Sequence, residues 1–339
     1  MGTTSGAIQV HNPKVVIPVY DPKLGALYYV LLMMAPVAVL ANGFTYNILR
    51  QEKSGFDDVT KQILKVFTIS YAVFGVGEAL VSLLQVIPLD RQVKLAMCLY
   101  HGPLIYLCFF FTLTLTCLLN INRYIIVTRP LRYHLIVTDR RASVILGVAI
   151  AESILLTIIM APIPGMPAEQ LQRHMCEQKE EEIKGSYYLI FLIAYVVVTV
   201  CITIVSTVRL LAISRRQAKA IAAIGGTEVS DLQGTNASVT NVDGKEEVVT
   251  TKRQHTRNRR AFLTIFLLNV VVFVSWMPLI IFYGLAFGGV TVPSIFKSSM
   301  MILIMSTTWW HCLVYLVTNK AFRETALHIL KRLWAKFSF

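Results

Sequence analysis

Seven runs of mostly apolar residues divide the chain, at about 24–49, 62–87, 95–127, 142–163, 186–213, 260–286 and 296–317. Each reaches the roughly 20 residues that a helix needs to cross the hydrocarbon of a bilayer. The pattern therefore predicts an all-α membrane protein, a seven-transmembrane helix bundle. From about 214 to 259 the pattern breaks, with Gly225-Gly226, Gly234 and Gly244 set among Ser, Thr and charged residues. That composition predicts a disordered loop. After Tyr315, the residues Phe322, Ala326, Ile329, Leu330, Leu333, Trp334 and Phe337 recur at helical spacing, with Lys320, Arg323, Lys331, Arg332 and Lys336 among them. Residues 318–339 are expected to hold a short amphipathic helix lying on a membrane surface.

Composition supports lipid as the solvent: 55% of the 339 residues are hydrophobic, 15% are charged, and the mean hydropathy is +0.61. These values exclude an ordinary soluble protein of this length. Basic residues set the orientation, because cytoplasmic connections carry the excess of Lys and Arg. Of the 32, 24 fall in or beside the first, third and fifth connections and the C-terminal tail. Residues 1–23 are consequently expected outside the cell. The net charge of +13 reads as this topology plus attraction to anionic headgroups, not as nucleic-acid binding. The first 20 residues lack the basic start, apolar middle and cleavage site of a signal peptide, so the first run is expected to act as an uncleaved anchor.

Chemistry-bearing groups are sparse. No nucleophile, metal or phosphate motif occurs at an accessible site, so neither an enzyme nor a cofactor or metal is expected. Of six cysteines, Cys108, Cys117, Cys201 and Cys312 fall within runs, leaving Cys98 and Cys176 at the external face, where a disulfide can form. Near the end of the third run stands Asn122-Arg123-Tyr124, and Trp276-Met277-Pro278 interrupts the sixth. A guanidinium at a membrane boundary is costly unless it has a purpose, although it can also snorkel to the headgroups.

In that order, Cys98, Asn122-Arg123-Tyr124 and Trp276-Met277-Pro278 resemble the motifs of rhodopsin-like (class A) G-protein-coupled receptors, and the resemblance covers roughly 24 to 335. It implies a Cys98–Cys176 disulfide between the second external loop and the third span. It also implies a plasma-membrane receptor that activates a heterotrimeric G protein, with arrestin and receptor kinases as further partners. Arg123 and Tyr124 match the family's Asp/Glu-Arg-Tyr, but Asn122 cannot supply the acid. Melatonin receptors are similar in carrying Asn-Arg-Tyr. Trp276 and Pro278 match the sixth-span motif, where proline removes a backbone hydrogen bond and allows a bend. His311 and Tyr315 bound the segment that resembles Asn-Pro-x-x-Tyr, without its Asn and Pro. Gly75 stands where the second span usually has an aspartate, and Glu78, three residues on, is either its stand-in or a carboxyl kept neutral by burial.

Position 105 lies 18 residues before Arg123, about 27 Å up the same helix face, at the depth where amine receptors place an aspartate. Here it is Ile105, so a monoamine would bury an uncompensated charge. The expected ligand is a small non-amine molecule or a peptide. Its expected lining is Ile105, Tyr106, Phe109, Trp276, Leu279, Ile280, Tyr283 and Met301. Two other readings remain open at this point: a transporter or channel using Glu78, Glu152 and His311, and a non-signalling receptor-like partner.

Overall fold

The computed structural model describes residues 22–51, 55–87, 90–160, 187–231 and 242–337. Its helices are α1 (Pro22–Leu49), α2 (Asp58–Val86), α3 (Arg91–Thr128), the single turn α4 (Tyr133–Ile136), α5 (Asp139–Met160), α6 (Tyr187–Asp231), α7 (Val242–Phe287), α8 (Ser294–Thr318) and α9 (Lys320–Phe337). A 3-10 turn over Pro130–Arg132 leads into α4. Seven of the helices are long and apolar enough to span a membrane: α1, α2, α3, α5, α6, α7 and α8. Among the described residues there is no strand.

Exposure has the sign expected for a bundle dissolved in lipid. Val148 and Leu155 on α5, Val198 on α6 and Val274 on α7 all point outward, which in water would be an association surface. Inside, α3 packs against α2, α5, α6 and α7, while α1 lies along α2 and α8. The core forms two storeys. One surrounds Phe109, Trp276 and Phe282; the other surrounds Tyr71, Leu115, Tyr315 and Phe322 at the end nearer Arg123.

Local chemistry fixes the joints. Asp57 caps α2, its carboxylate accepting from the Thr60 backbone N–H at 3.0 Å. Asn319 adopts an extended conformation that stops α8, and its Oδ1 accepts from the Phe322 N–H at 3.2 Å to start α9. Gly55, at φ +81°, leaves a Cβ only 2.8 Å from Ala321 Cβ, so glycine meets both the conformational and the spatial demand. The connection between α1 and α2 thus presses on the start of α9. On α9 itself, Phe322 and Ala326 are buried, whereas Leu327, Leu330 and Trp334 face outward, Trp334 at 77% exposure. That is the amphipathic face read from the sequence.

Within the segment 214–259, expected to be a disordered loop, α6 runs on to Asp231 and α7 begins at Val242, with residues 232–241 outside the described set. The segment contains no proline, and the stretch Gln217-Ala218-Lys219-Ala220-Ile221-Ala222-Ala223 consists mostly of strong helix formers. Each helix therefore continues beyond its lipid-spanning part.

Asn42 ties the first spanning helix to the last. Its Nδ2 donates to the carbonyls of Ala38 at 2.8 Å and Thr308 at 2.6 Å, and the side chain is buried. Inter-helix hydrogen bonds inside membranes contribute about 0.6 to 2 kcal/mol. Asn42→Leu should lower the melting temperature of the purified protein by a few degrees; an unchanged melting curve would show that this link adds nothing to stability.

Candidate functional site

At one end of the bundle, Arg123 projects from the last turns of α3 toward the connection between α1 and α2. Its Nη1 lies 3.1 Å from Asp57 Oδ1, with 14% of the arginine side chain and 26% of the aspartate exposed. Thr60 Oγ1 donates to the same carboxylate oxygen at 2.7 Å. The other oxygen accepts from the Thr60 N–H and, at 3.1 Å, from the Tyr133 hydroxyl of α4. Asn122 joins from the far side: its Nδ2 donates to Thr60 Oγ1 at 2.9 Å, and its Oδ1 accepts from Tyr133 at 3.0 Å. Burial raises the Asp57 pKa, but Arg123, Thr60 and Tyr133 together outweigh it and hold the carboxyl below its ordinary value. Burial and then the Asp57 charge push the Tyr133 phenol up, keeping it a donor. Tyr124, next to Arg123 in sequence, is half-buried.

Further polar contacts hold α7 inward at the same end. Asn120 and Asn269 form a closed amide pair, each Nδ2 donating to the other's Oδ1 at 3.0 Å, and both are buried. Thr264 Oγ1 donates to Thr318 Oγ1 at 2.7 Å, linking α7 to α8. Tyr315 is fully buried between Phe56, at 5.5 Å between ring centroids, and Phe322, at 5.4 Å. Phe56 and Asp57, adjacent in sequence, therefore touch Tyr315 and Arg123 respectively.

The eight residues expected to line a ligand site, Ile105, Tyr106, Phe109, Trp276, Leu279, Ile280, Tyr283 and Met301, all belong to one apolar cluster. Phe109 meets Trp276 edge-on at 5.0 Å. The Tyr106 and Tyr283 hydroxyls lie 2.7 Å apart and bridge α3 to α7. Pro278, two residues past Trp276, lies inside the continuous helix α7. Above the cluster's α2 side, Glu78 is 1% exposed and its two oxygens lie 3.0 and 3.1 Å from His101 Nε2. Glu78 thus has a local partner in His101, while His311 meets Phe67, Tyr71 and the Thr307 carbonyl.

His311 occupies the mid-bundle space instead. Its ring packs at a tilt against Phe67, 4.7 Å away, and Tyr71, 4.9 Å away, and its Nδ1 lies 2.9 Å from the Thr307 carbonyl. The Tyr71 hydroxyl is 3.1 Å from Thr112 Oγ1. A Cβ on Gly75 would come within 3.1 Å of Ala38 Cβ, so larger residues there press on α1. Glu152 on α5 takes part in a separate cluster with Thr114, whose Oγ1 lies 2.6 Å from the Tyr195 hydroxyl. A groove of about 380 Å³ opens sideways between α2, α3 and α5, lined by apolar residues such as Ile69, Val73, Phe111 and Ile154. None of the expected ligand-lining residues contributes to it.

Cys176 and the Cys98 side chain, expected to be bonded, lie outside the described residues. The sequence reading did not pick out Asp57, Thr60, His101, Asn120 or Asn269. Asp57 carried a signal, since Asp57-Asp58-Val59-Thr60 has the look of a helix N-cap, but that role accounts for it without any second one. The two asparagines carried a weaker signal: an amide in the middle of an apolar run needs a partner.

The model of the seven-transmembrane receptors of the rhodopsin family matches residues 69–319. No curated protein matches the chain. The matched region runs from within α2 to the joint between α8 and α9, and so includes Arg123, Asn122, Tyr133 and Trp276, whereas Asp57 and Thr60 lie before it. The chain is a multi-pass membrane protein and belongs to the rhodopsin family of seven-transmembrane receptors.

Proposed function

We propose that this receptor binds an extracellular ligand within the cluster around Trp276 and passes the signal to a heterotrimeric G protein at the Arg123 end. The excess of basic residues in the connections at that end supports a cytoplasmic site for it and an external amino terminus. One observation carries the reading: Arg123 is held by an ion pair at the end of a bundle that Asn120–Asn269 keeps closed. A paired, half-buried guanidinium is a group that another partner can capture once the helices separate. Arrestin and receptor kinases would use the same face, and a Cys98–Cys176 disulfide would fasten the outer loop.

The ligand is a small non-amine molecule or a peptide. Ile105 offers no counter-charge, and the nearby acid Glu78 is engaged by His101, so a free ammonium group would find no open carboxylate in the cluster. What the cluster does present is apolar and aromatic surface with the Tyr106 and Tyr283 hydroxyls as polar points. No observation favours a transporter, because Glu78, Glu152 and His311 each have a local partner.

Expression of the full chain with dissociation sensors for each G-protein subtype tests this reading. Basal or ligand-driven dissociation of one subtype is expected, and Arg123→Ala should reduce it at least tenfold at equal surface expression. Dissociation unaffected by Arg123→Ala would remove the assigned role. A second outcome concerns the amide pair, whose loss should shift the closed-to-open balance by about 1 kcal/mol, roughly fivefold. Asn269→Leu should raise basal dissociation by that factor; a fall or no change would show that the pair does not favour the closed form.

A further inference from the structure

The family's triplet places an acid beside the arginine, and this chain has Asn122 there. A guanidinium cannot be neutralised by losing its proton, so at a membrane boundary its charge needs a partner from elsewhere. The chain supplies one from a different helix, 66 positions before Arg123 in sequence: the Asp57 carboxylate, 3.1 Å from Nη1. Resting on the receptor reading above, we propose that Asp57 is the positioning residue that holds Arg123 in the resting state, and that breaking this inter-helix pair frees the arginine for the G protein.

Three features favour this over a chance surface contact. First, the carboxylate is fully used. An ionised aspartate has about four acceptor positions, and here Arg123, Thr60 Oγ1, the Thr60 N–H and the Tyr133 hydroxyl, whose single proton is shared with Asn122 Oδ1, occupy them. Its orientation is therefore fixed before Arg123 arrives.

Second, the amide at 122 suits an acid at 57. Thr60 Oγ1 gives its only proton to Asp57, so it can only accept from position 122, and Asn122 Nδ2 is the donor it needs. A carboxylate at 122 would face that oxygen with no proton to share, close to a second negative charge. Asparagine at 122 and aspartate at 57 form a matched arrangement, in which the acid has changed helices.

Third, the pair is built to open. Arg123 engages through Nη1, and its buried Nε has no acceptor, so the contact falls short of the two-point fork that makes arginine–carboxylate pairs strongest. The aspartate rides on a connection fixed at two further points, by Phe56 on Tyr315 and by Gly55 on Ala321. A displacement of the end of α8 or the start of α9 would thus be felt at the carboxylate.

The test uses the full-length receptor in cells with G-protein dissociation sensors, together with the melting temperature of the purified protein. Asp57→Asn is the informative variant because asparagine still caps α2 while removing the charge. It should raise basal dissociation several-fold and lower the melting temperature. Adding Asn122→Asp should return both readouts toward wild type, because the acid then stands beside Arg123. Asn122→Asp alone, with two carboxylates in the site, should not lower basal dissociation. If Asp57→Asn behaves as wild type in both readouts while Arg123→Ala silences the receptor, the proposal is overturned and the receptor reading stands. If no G protein responds to any form, the receptor reading fails, and the melting temperatures alone decide whether the pair holds the bundle: a loss rescued by Asn122→Asp supports it, and no loss overturns it.

Discussion

A permanent positive charge at the edge of an apolar bundle has to be matched, and most of the structure at one end follows from how Arg123 is matched. With asparagine at 122, its neighbour in sequence brings hydrogen bonds but no charge. The compensating carboxylate comes from Asp57, at the cap of α2. That choice draws in α4 through Tyr133, and it fixes the connection between α1 and α2 against α8 and α9. Three helices, α2, α3 and α4, meet at one ion pair because a single side chain could not be left uncompensated.

Several other polar groups inside the bundle follow the same rule with weaker contacts. Asn120 meets Asn269, Asn42 meets the Thr308 carbonyl, Thr264 meets Thr318, and Glu78 meets His101. In lipid a polar group has no water to fall back on, so each becomes a link between helices. These links differ in what they join. Asn42 fastens α1 to α8, within the stable wall of the bundle, whereas Asn120–Asn269 and Thr264–Thr318 hold α7 against its neighbours. In the proposed mechanism the helices separate at this end, and those neutral contacts of moderate strength are what the separation must break.

Periodicity and composition were enough to reveal the spans, because a helix in lipid must be continuous and apolar for about 20 residues. The cluster of Ile105, Tyr106, Phe109, Trp276 and Tyr283 was also legible, since all lie on helices whose spacing could be counted from Arg123 and Trp276. Contacts between helices were not. Nothing in the neighbourhood of Asp57 indicates an arginine 66 positions away, and a residue that already satisfies one rule, as a helix cap, gives no hint of a second task. In 214–259 the sequence carries two opposed signals, Gly225-Gly226 against the helix formers Gln217 to Ala223. Glu78 is buried, but its partner His101, about one turn before Ile105 on α3, could be found only once α2 and α3 were side by side.

The central claim is that Arg123 and Asp57 stabilise the bundle through each other. A double-mutant cycle measures that coupling directly, using Arg123→Gln, Asp57→Asn and the combined variant, with thermal unfolding of the purified protein as readout. The account predicts that each single variant costs stability and that the double variant costs clearly less than their sum, with a coupling of about 1 kcal/mol for a partly buried pair. Strictly additive losses would contradict it, because they would mean that the two charges stand 3.1 Å apart without depending on one another.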